Sequence, residues 1–297
     1  MAEQLGSIRR VIVTRPAHDA GAWLANLQKN GFAAQALPLI GITGVSSPAD
    51  KRALQQTWHS LTDYTACMFV SSNAVEHFFM PFSGSKRALD QSIRSRAAID
   101  NVAFQIPLNV RFLAPGPATG AALLAVGVPA SQIDTPPPDA AQFDSEALWQ
   151  VIGQRDWRGA KVLIVRGRND TQADAPEGST GTGRDWLMQQ WRASGSTVDV
   201  VSSYERSVPL LSDEQIDMAR TASQDGSVWL FSSSEAVANL TGQPGLKDIN
   251  WQGARAIATH PRIQAAVQAV GWGVVQSSRP AMPDILAALA SIESRSP

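Results

Sequence analysis

The chain has 297 residues, 44% of them hydrophobic and 17% charged, which supplies a sizeable core and excludes wholesale disorder. A formal net charge of −1 argues against a general nucleic-acid binder, because neutralising phosphates needs a basic surface. A single cysteine, Cys67, excludes a disulfide framework and a cysteine-rich metal site, and no apolar run reaches the roughly 20 residues of a membrane span.

The opening MAEQLGSIRR carries no apolar signal core, so a cytoplasmic protein is expected. Val11-Ile12-Val13-Thr14 predicts a β-branched strand, stopped by Arg15-Pro16. Over residues 20–30, Trp23, Leu24 and Leu27 fall at helical spacing, and Gly31 ends the helix. The apolar run Ala36-Leu37-Pro38-Leu39-Ile40 predicts the next strand, and the series makes a βαβ unit. Met68-Phe69-Val70 predicts a buried strand, with Cys67 as a small buried apolar residue and Tyr64 as a packing residue. Ser71-Ser72-Asn73 then caps a helix. Residues 81–107 are polar and weakly periodic, with a helix expected over 86–97. Arg111-Phe112-Leu113-Ala114 predicts a strand, followed by a helix over 118–127 that Thr119 opens. The stiff connector Pro136-Pro137-Pro138 precedes a helix over 145–154, capped by Asp144 or Ser145.

The pattern then returns. Lys161-Val162-Leu163-Ile164-Val165 repeats the first strand, with Arg166 standing where Arg15 stood and residues 166–169 read as a loop. Residues 175–183 are rich in Gly, Ser and Thr and read as linker. Trp186, Leu187 and Trp191 repeat the helix, Gly195 its end, and residues 198–204 the following strand. Leu230-Phe231-Ser232-Ser233-Ser234-Glu235-Ala236-Val237 resembles Met68-Phe69-Val70-Ser71-Ser72-Asn73-Ala74-Val75. Arg255-Ala256-Ile257-Ala258, with Pro261 and Gly271, aligns without a gap on Arg111-Phe112-Leu113-Ala114, with Pro117 and Gly127. Matched blocks in one order mean a duplicated half of about 150 residues. The expected fold is two similar α/β domains, each a doubly wound, mostly parallel sheet.

Ligands of such sheets bind beyond the carboxyl ends of the strands. The expected substrate-binding residues are therefore Arg15; Ser71, Ser72 and Asn73; Thr119; Arg166 and Gly167; Ser233 and Ser234; and Arg262. The serines cap helices, and the free N–H groups there also favour an anion. Tyr204, at a strand end beside Glu205-Arg206, is the candidate catalytic residue, since a neutral phenol can donate a hydrogen bond to a leaving hydroxyl. The histidines His18, His59, His77 and His260 fall in no metal-binding spacing. Gly178-Ser179-Thr180-Gly181-Thr182-Gly183 follows no strand, and no dinucleotide or P-loop motif is present. No metal or cofactor is expected.

These blocks resemble the uroporphyrinogen-III synthase family. The resemblance rests on Val13-Thr14-Arg15-Pro16, Phe69-Val70-Ser71-Ser72-Asn73-Ala74-Val75, Ala114-Pro115-Gly116-Pro117-Ala118-Thr119 and Asp144-Ser145-Glu146-Ala147-Leu148. Val200-Val201-Ser202-Ser203-Tyr204-Glu205-Arg206 and Phe231-Ser232-Ser233-Ser234-Glu235-Ala236-Val237 complete it. It implies two α/β domains joined by a two-stranded linker: a discontinuous first domain of residues 1–38 and 206–297, a second of 42–200, and linker strands 39–41 and 201–205. The implied reaction is a cofactor-free lyase step of haem biosynthesis. Hydroxymethylbilane loses its hydroxyl as water, ring D is inverted through a spiro intermediate, and the macrocycle closes in an interdomain cleft. Tyr204 matches the family tyrosine proposed to assist loss of the hydroxyl, and Thr119 a family threonine near the site. A small-molecule substrate is thus the expected partner, with no nucleic acid, no membrane and a monomeric protein. One loop departs from the family pattern: His260-Pro261-Arg262-Ile263 stands where Gly-Pro-Thr-Thr is usual. That departure supports the alternative of a non-catalytic relative that binds a tetrapyrrole or another polyanion in a regulatory or assembly role.

Overall fold

The structure is a computed structural model that describes residues 10–81, 105–169 and 183–294. In chain order its main elements begin with β1 (Val11–Val13), α1 (Ala17–Lys29), β2 (Ala34–Ala36), β3 (Gly41–Gly44), α2 (Pro48–His59), β4 (Ala66–Phe69) and α3 (Ser72–Phe79). Next come β5 (Arg111–Leu113), α4 (Pro117–Ala125), β6 (Ile133–Asp134), α5 (Ser145–Ile152) and β7 (Lys161–Asn169). The last are α6 (Gly183–Ala193), β8 (Thr197–Ser207), α7 (Asp213–Ala222), β9 (Val228–Phe231), α8 (Ser234–Gly242), β10 (Arg255–Ala258), α9 (Pro261–Ala269), β11 (Val274–Ser277) and α10 (Met282–Ser294). The helix expected over 86–97 and the linker 175–182 lie outside the described residues; Gly183 itself opens α6. Among the described residues no helix is long and apolar enough to cross a membrane.

The chain forms two compact units, Met1–Gly41 with Ser207–Pro297, and Ile42–Arg206. It leaves the first unit through β3 and returns through β8, which are neighbouring strands of one sheet. The first unit is therefore discontinuous.

In the first unit the described strands form a sheet in the order β11-β10-β9-β1-β2, with every pairing parallel. Val11, Val13, Val228, Leu230 and Ile257 point to one face and pack on Leu27 of α1 and on Ile285, Leu289 and Ile292 of α10. On another side Trp229 meets the stacked pair Trp251 and Trp272, whose ring centroids lie 4.8 Å apart. The Trp229 indole N–H is satisfied by the Ala222 carbonyl at the end of α7. Short, wholly buried strands reading VIV and VWLF suit a parallel sheet covered on both faces.

The second unit holds the order β3-β8-β7-β4-β5-β6, parallel from β8 through β6. Its strands divide their side chains by alternation as far as Val201 of β8. Cys67, Phe69, Phe112, Leu163, Val165 and Val201 join Val75, Phe78 and Phe79 of α3 and Leu123 of α4. Ala66, Met68, Leu113, Val162 and Ile164 join Leu148 and Ile152 of α5 and Leu187 and Trp191 of α6, with Val198 and Val200 packed against them. Cys67 is fully buried, as its place in a strand predicts, and burial pushes its thiol pKa up. Tyr64 is buried as well; burial, then the Asp199 carboxylate accepting its hydroxyl at 2.9 Å, raise its pKa.

Helix signals hold in detail. Gly31, Gly127, Gly195 and Gly271 all take positive φ just past helix ends, a conformation that favours glycine. Asp144 caps α5 through a bond from the Ala147 amide. Three expectations need correction. β2 occupies Ala34–Ala36 rather than residues 36–40, because Pro38 offers no amide to extend the ladder. Residues 166–169 are not a loop but the end of β7, kept in register by β8 as far as Asn169↔Arg206. Thr119 does not open α4: Pro117 sits in the first turn after Gly116, and Thr119 lies buried within the helix.

Candidate active site

In the first unit the sequence-derived candidates follow the carboxyl ends of adjacent parallel strands. These are Arg15 after β1, Ser233 and Ser234 after β9, and Arg262 after β10. Arg15 donates to Asp19 at 3.2 Å and lies 5.1 Å from the Trp23 ring centre, which fixes its guanidinium. Its buried Nε has no acceptor among the described residues. Ser233 caps α8 by accepting from the Glu235 amide, while Ser234 is exposed as the first helical residue. The departing loop keeps its cap by other means, since the His260 imidazole Nδ1 accepts from the Arg262 amide at 3.1 Å. Arg262 itself is exposed.

The second unit brings three candidates into contact. Ser71 caps α3, its Oγ accepting from the Ala74 amide at 3.2 Å. The same Oγ lies 3.2 Å from the Tyr204 hydroxyl. Gly167 stands opposite Tyr204 in the β7–β8 ladder, beneath the phenol ring. Two residues not singled out for the site from the sequence complete the cluster. Arg206 donates from Nη2 to the Tyr204 hydroxyl at 2.9 Å, and its guanidinium lies 5.6 Å from the ring centre. His77 of α3 stacks on the same phenol, with ring centroids 5.8 Å apart.

A β-bulge builds this arrangement. Register runs Arg166↔Ser202 and then Gly167↔Tyr204, so Ser203 is the extra residue in β8. Regular alternation would send Tyr204 to the face shared by Val198 and Val200. The insertion turns it to the opposite face, with Val201, Val165 and Phe78. Ser203 is also the pin: its buried hydroxyl donates to the Ala74 carbonyl in the first turn of α3. That bond holds the helix start carrying Ser71 against the strand carrying Tyr204.

Beyond the bulge, Glu205 accepts from both the amide and the hydroxyl of Ser46 at 3.0 Å. Arg168 reaches Asp50 of α2 at 2.6 Å and Glu205 at 3.6 Å. The strand end is thus tied to the segment entering α2. Tyr204 is not at a strand end, as the sequence suggested, but inside β8 and without solvent exposure. Ser72 is half-buried and Asn73 buried in the first turn of α3. Thr119 and Arg166 make no hydrogen bond with this cluster among the described residues; the Arg166 Nε is buried without an acceptor there. Alternation could have found Arg206, which falls two residues from Tyr204 and so on the same side of the strand.

Two doubly wound α/β units, with capped helix starts and arginines following their strands and a hydrogen-bonded phenol inside β8, define a class of two-unit α/β proteins. Within that class the chain belongs to the uroporphyrinogen-III synthase family: the family model described as "Uroporphyrinogen-III synthase HemD" matches residues 21–287. The fold is similar to a selenomethionine-labelled mutant of uroporphyrinogen III synthase from the extremely thermophilic bacterium Thermus thermophilus, with TM-score 0.53 at 16% identity over 97% of this chain and 99% of that one. It is also similar to uroporphyrinogen-III synthetase from Helicobacter pylori, with TM-score 0.51 at 13% identity over 96% of this chain and 99% of that one. A search of curated protein sequences finds no match.

Proposed function

We propose that this protein is a uroporphyrinogen-III synthase, a cofactor-free lyase that cyclises hydroxymethylbilane with loss of water and inversion of ring D. The substrate is bound in a cleft between the two units, by a monomer in the cytoplasm. The observation that carries the reading is the Tyr204 hydroxyl held between Arg206 and Ser71, in a chain that matches the family over residues 21–287.

The chemistry asks for two things. The linear substrate loses its hydroxyl readily, because pyrrole electrons push it out, so the enzyme needs only a well-placed proton source. It must also hold a flexible polyanion curved, so that ring D is attacked at its substituted carbon rather than its free one. Carboxylates of the substrate suit amide N–H groups at capped helix starts, at Ser71, Ser72 and Asn73 and at Ser233 and Ser234. Arg15, Arg166 and Arg262 supply forked donors and Thr119 a hydroxyl, while Gly167 makes room for the Tyr204 ring. This set binds anions without requiring a basic protein overall. Tyr204 is the source of the proton that assists loss of the hydroxyl.

The alternative, a non-catalytic binder of a tetrapyrrole or other polyanion, draws support from the full burial of Tyr204 and from the His260–Ile263 departure. Hydroxymethylbilane given to purified protein separates the two. The type III isomer is expected. Only the spontaneous type I isomer, together with tight uroporphyrin binding, would establish the alternative instead.

A further inference from the structure

A phenol with no solvent exposure cannot itself touch a substrate in this conformation, yet its hydroxyl is fully engaged. We infer that Ser71 is the catalytic residue that meets the departing hydroxyl, with Tyr204 and Arg206 as positioning residues that load it with a proton. The inference rests on the synthase reading above.

Donor and acceptor capacity fixes the direction of the chain. A guanidinium only donates, so the bond from Arg206 occupies a lone pair of the Tyr204 oxygen. The phenol proton is then in a buried place and needs an acceptor; Ser71 Oγ at 3.2 Å provides it. Ser71 Oγ already accepts from the Ala74 amide. Both its lone pairs are filled, so its own proton must be given to something else. No acceptor for it exists among the described residues, and Ser71 is half-buried rather than enclosed. The chain Arg206→Tyr204→Ser71 therefore ends in one outward hydroxyl proton at the start of α3. The Ser203–Ala74 bond holds the two ends of the relay together.

The step balances. As the carbon–oxygen bond of the hydroxymethyl group breaks, its electron pair leaves with oxygen, which takes the Ser71 proton and departs as water. Ser71 takes the Tyr204 proton, and the phenolate is held by the Arg206 guanidinium. Closure of the macrocycle releases one proton from the carbon of ring D that forms the last bond. That proton returns through Ser71 to Tyr204.

The test is a double-mutant cycle with hydroxymethylbilane, reading kcat and KM for the type III isomer. Ser71→Asn keeps a helix-capping side chain but cannot relay a proton. It is expected to lower kcat on the order of 100-fold with little change in KM. Ser71→Thr, which keeps both cap and hydroxyl, should recover most of the loss. Tyr204→Phe should resemble Ser71→Asn, and the double variant S71N/Y204F should be no slower than the slower single, because both break one chain. Losses that multiply, or wild-type kcat in Ser71→Asn, would overturn the relay while leaving the synthase intact. A wild-type protein that forms no type III isomer would defeat the synthase reading itself. Circular-dichroism melts confirm that each variant is folded, and Ser71→Gly, which keeps a tolerated helix-capping residue without a hydroxyl, takes the place of Ser71→Asn in the cycle should that variant misfold.

Discussion

The Tyr204 ring lies over Gly167 so closely that a methyl group on residue 167 would come within 2.9 Å of its Cε1, and nearer still to Cε2 and Cζ. The bulge at Ser203 turns the ring inward, and the absent side chain at Gly167 receives it.

Gly167→Ala should therefore act on Tyr204 before anything else. The ring cannot stay where it is, and the bonds to Ser71 and Arg206 move with it. A loss of about 1–3 kcal/mol is expected, the usual cost of overfilling a packed site, with a fall in synthase rate. Chemical denaturation and a rate assay measure the two effects; an alanine variant as stable and active as wild type would mean that the ring has room it does not show.

Arg168 holds two carboxylates, Asp50 and Glu205, and ties β8 to the start of α2. Arg168→Met removes the cation and leaves both acids facing each other in a half-buried place. Stability should fall by about 1–3 kcal/mol. Restoring it by the second change Glu205→Gln would identify the ion pair as the cause, read from urea midpoints of the single and double variants.

Asp134, 7% exposed at its side chain, accepts paired bonds from both Arg111 and Arg155. Burial alone would raise its pKa, but the hydrogen bonds from Arg155 and then Arg111 prevail and hold the carboxyl below its usual range. A lowered native pKa means that this contribution is complete above the unfolded value of about 3.9 and is lost as pH falls through the native one. The melting temperature of wild type should thus drop in acid more steeply than that of Asp134→Asn, which lacks the titrating group. Parallel acid profiles for the two proteins would contradict the assignment.

Cys67 is the one cysteine and is wholly enclosed, with its thiol pushed toward the protonated form. An aromatic disulfide reagent should react with it no faster than the second unit opens, and at once in denaturant. Rapid stoichiometric labelling of the folded protein would refute this.

Much of the architecture was legible because parallel strands covered on both faces read as unbroken apolar runs. VIV, ACMF and VWLF have no other comfortable home, and glycines after helices mark the turns between them. The capping serines Ser71 and Ser233 were legible for a similarly local reason. What stayed hidden depends on register. One extra residue in β8 relative to β7 leaves no mark in either strand alone, yet it decides which face Tyr204 takes and which β8 residues stand opposite residues 167–169. The Arg168–Glu205 pair was unreadable for the same reason, since it joins residues that only the shifted ladder sets side by side. Thr119 was misjudged because a proline just before it is the stronger helix-starting signal.

The central claim is most directly tested by the fraction of type III isomer formed from hydroxymethylbilane as protein concentration is raised against a fixed spontaneous background. The fraction should climb from the uncatalysed baseline toward completion for wild type, and far more slowly for Tyr204→Phe. A fraction that stays at the baseline at every wild-type concentration would contradict the account.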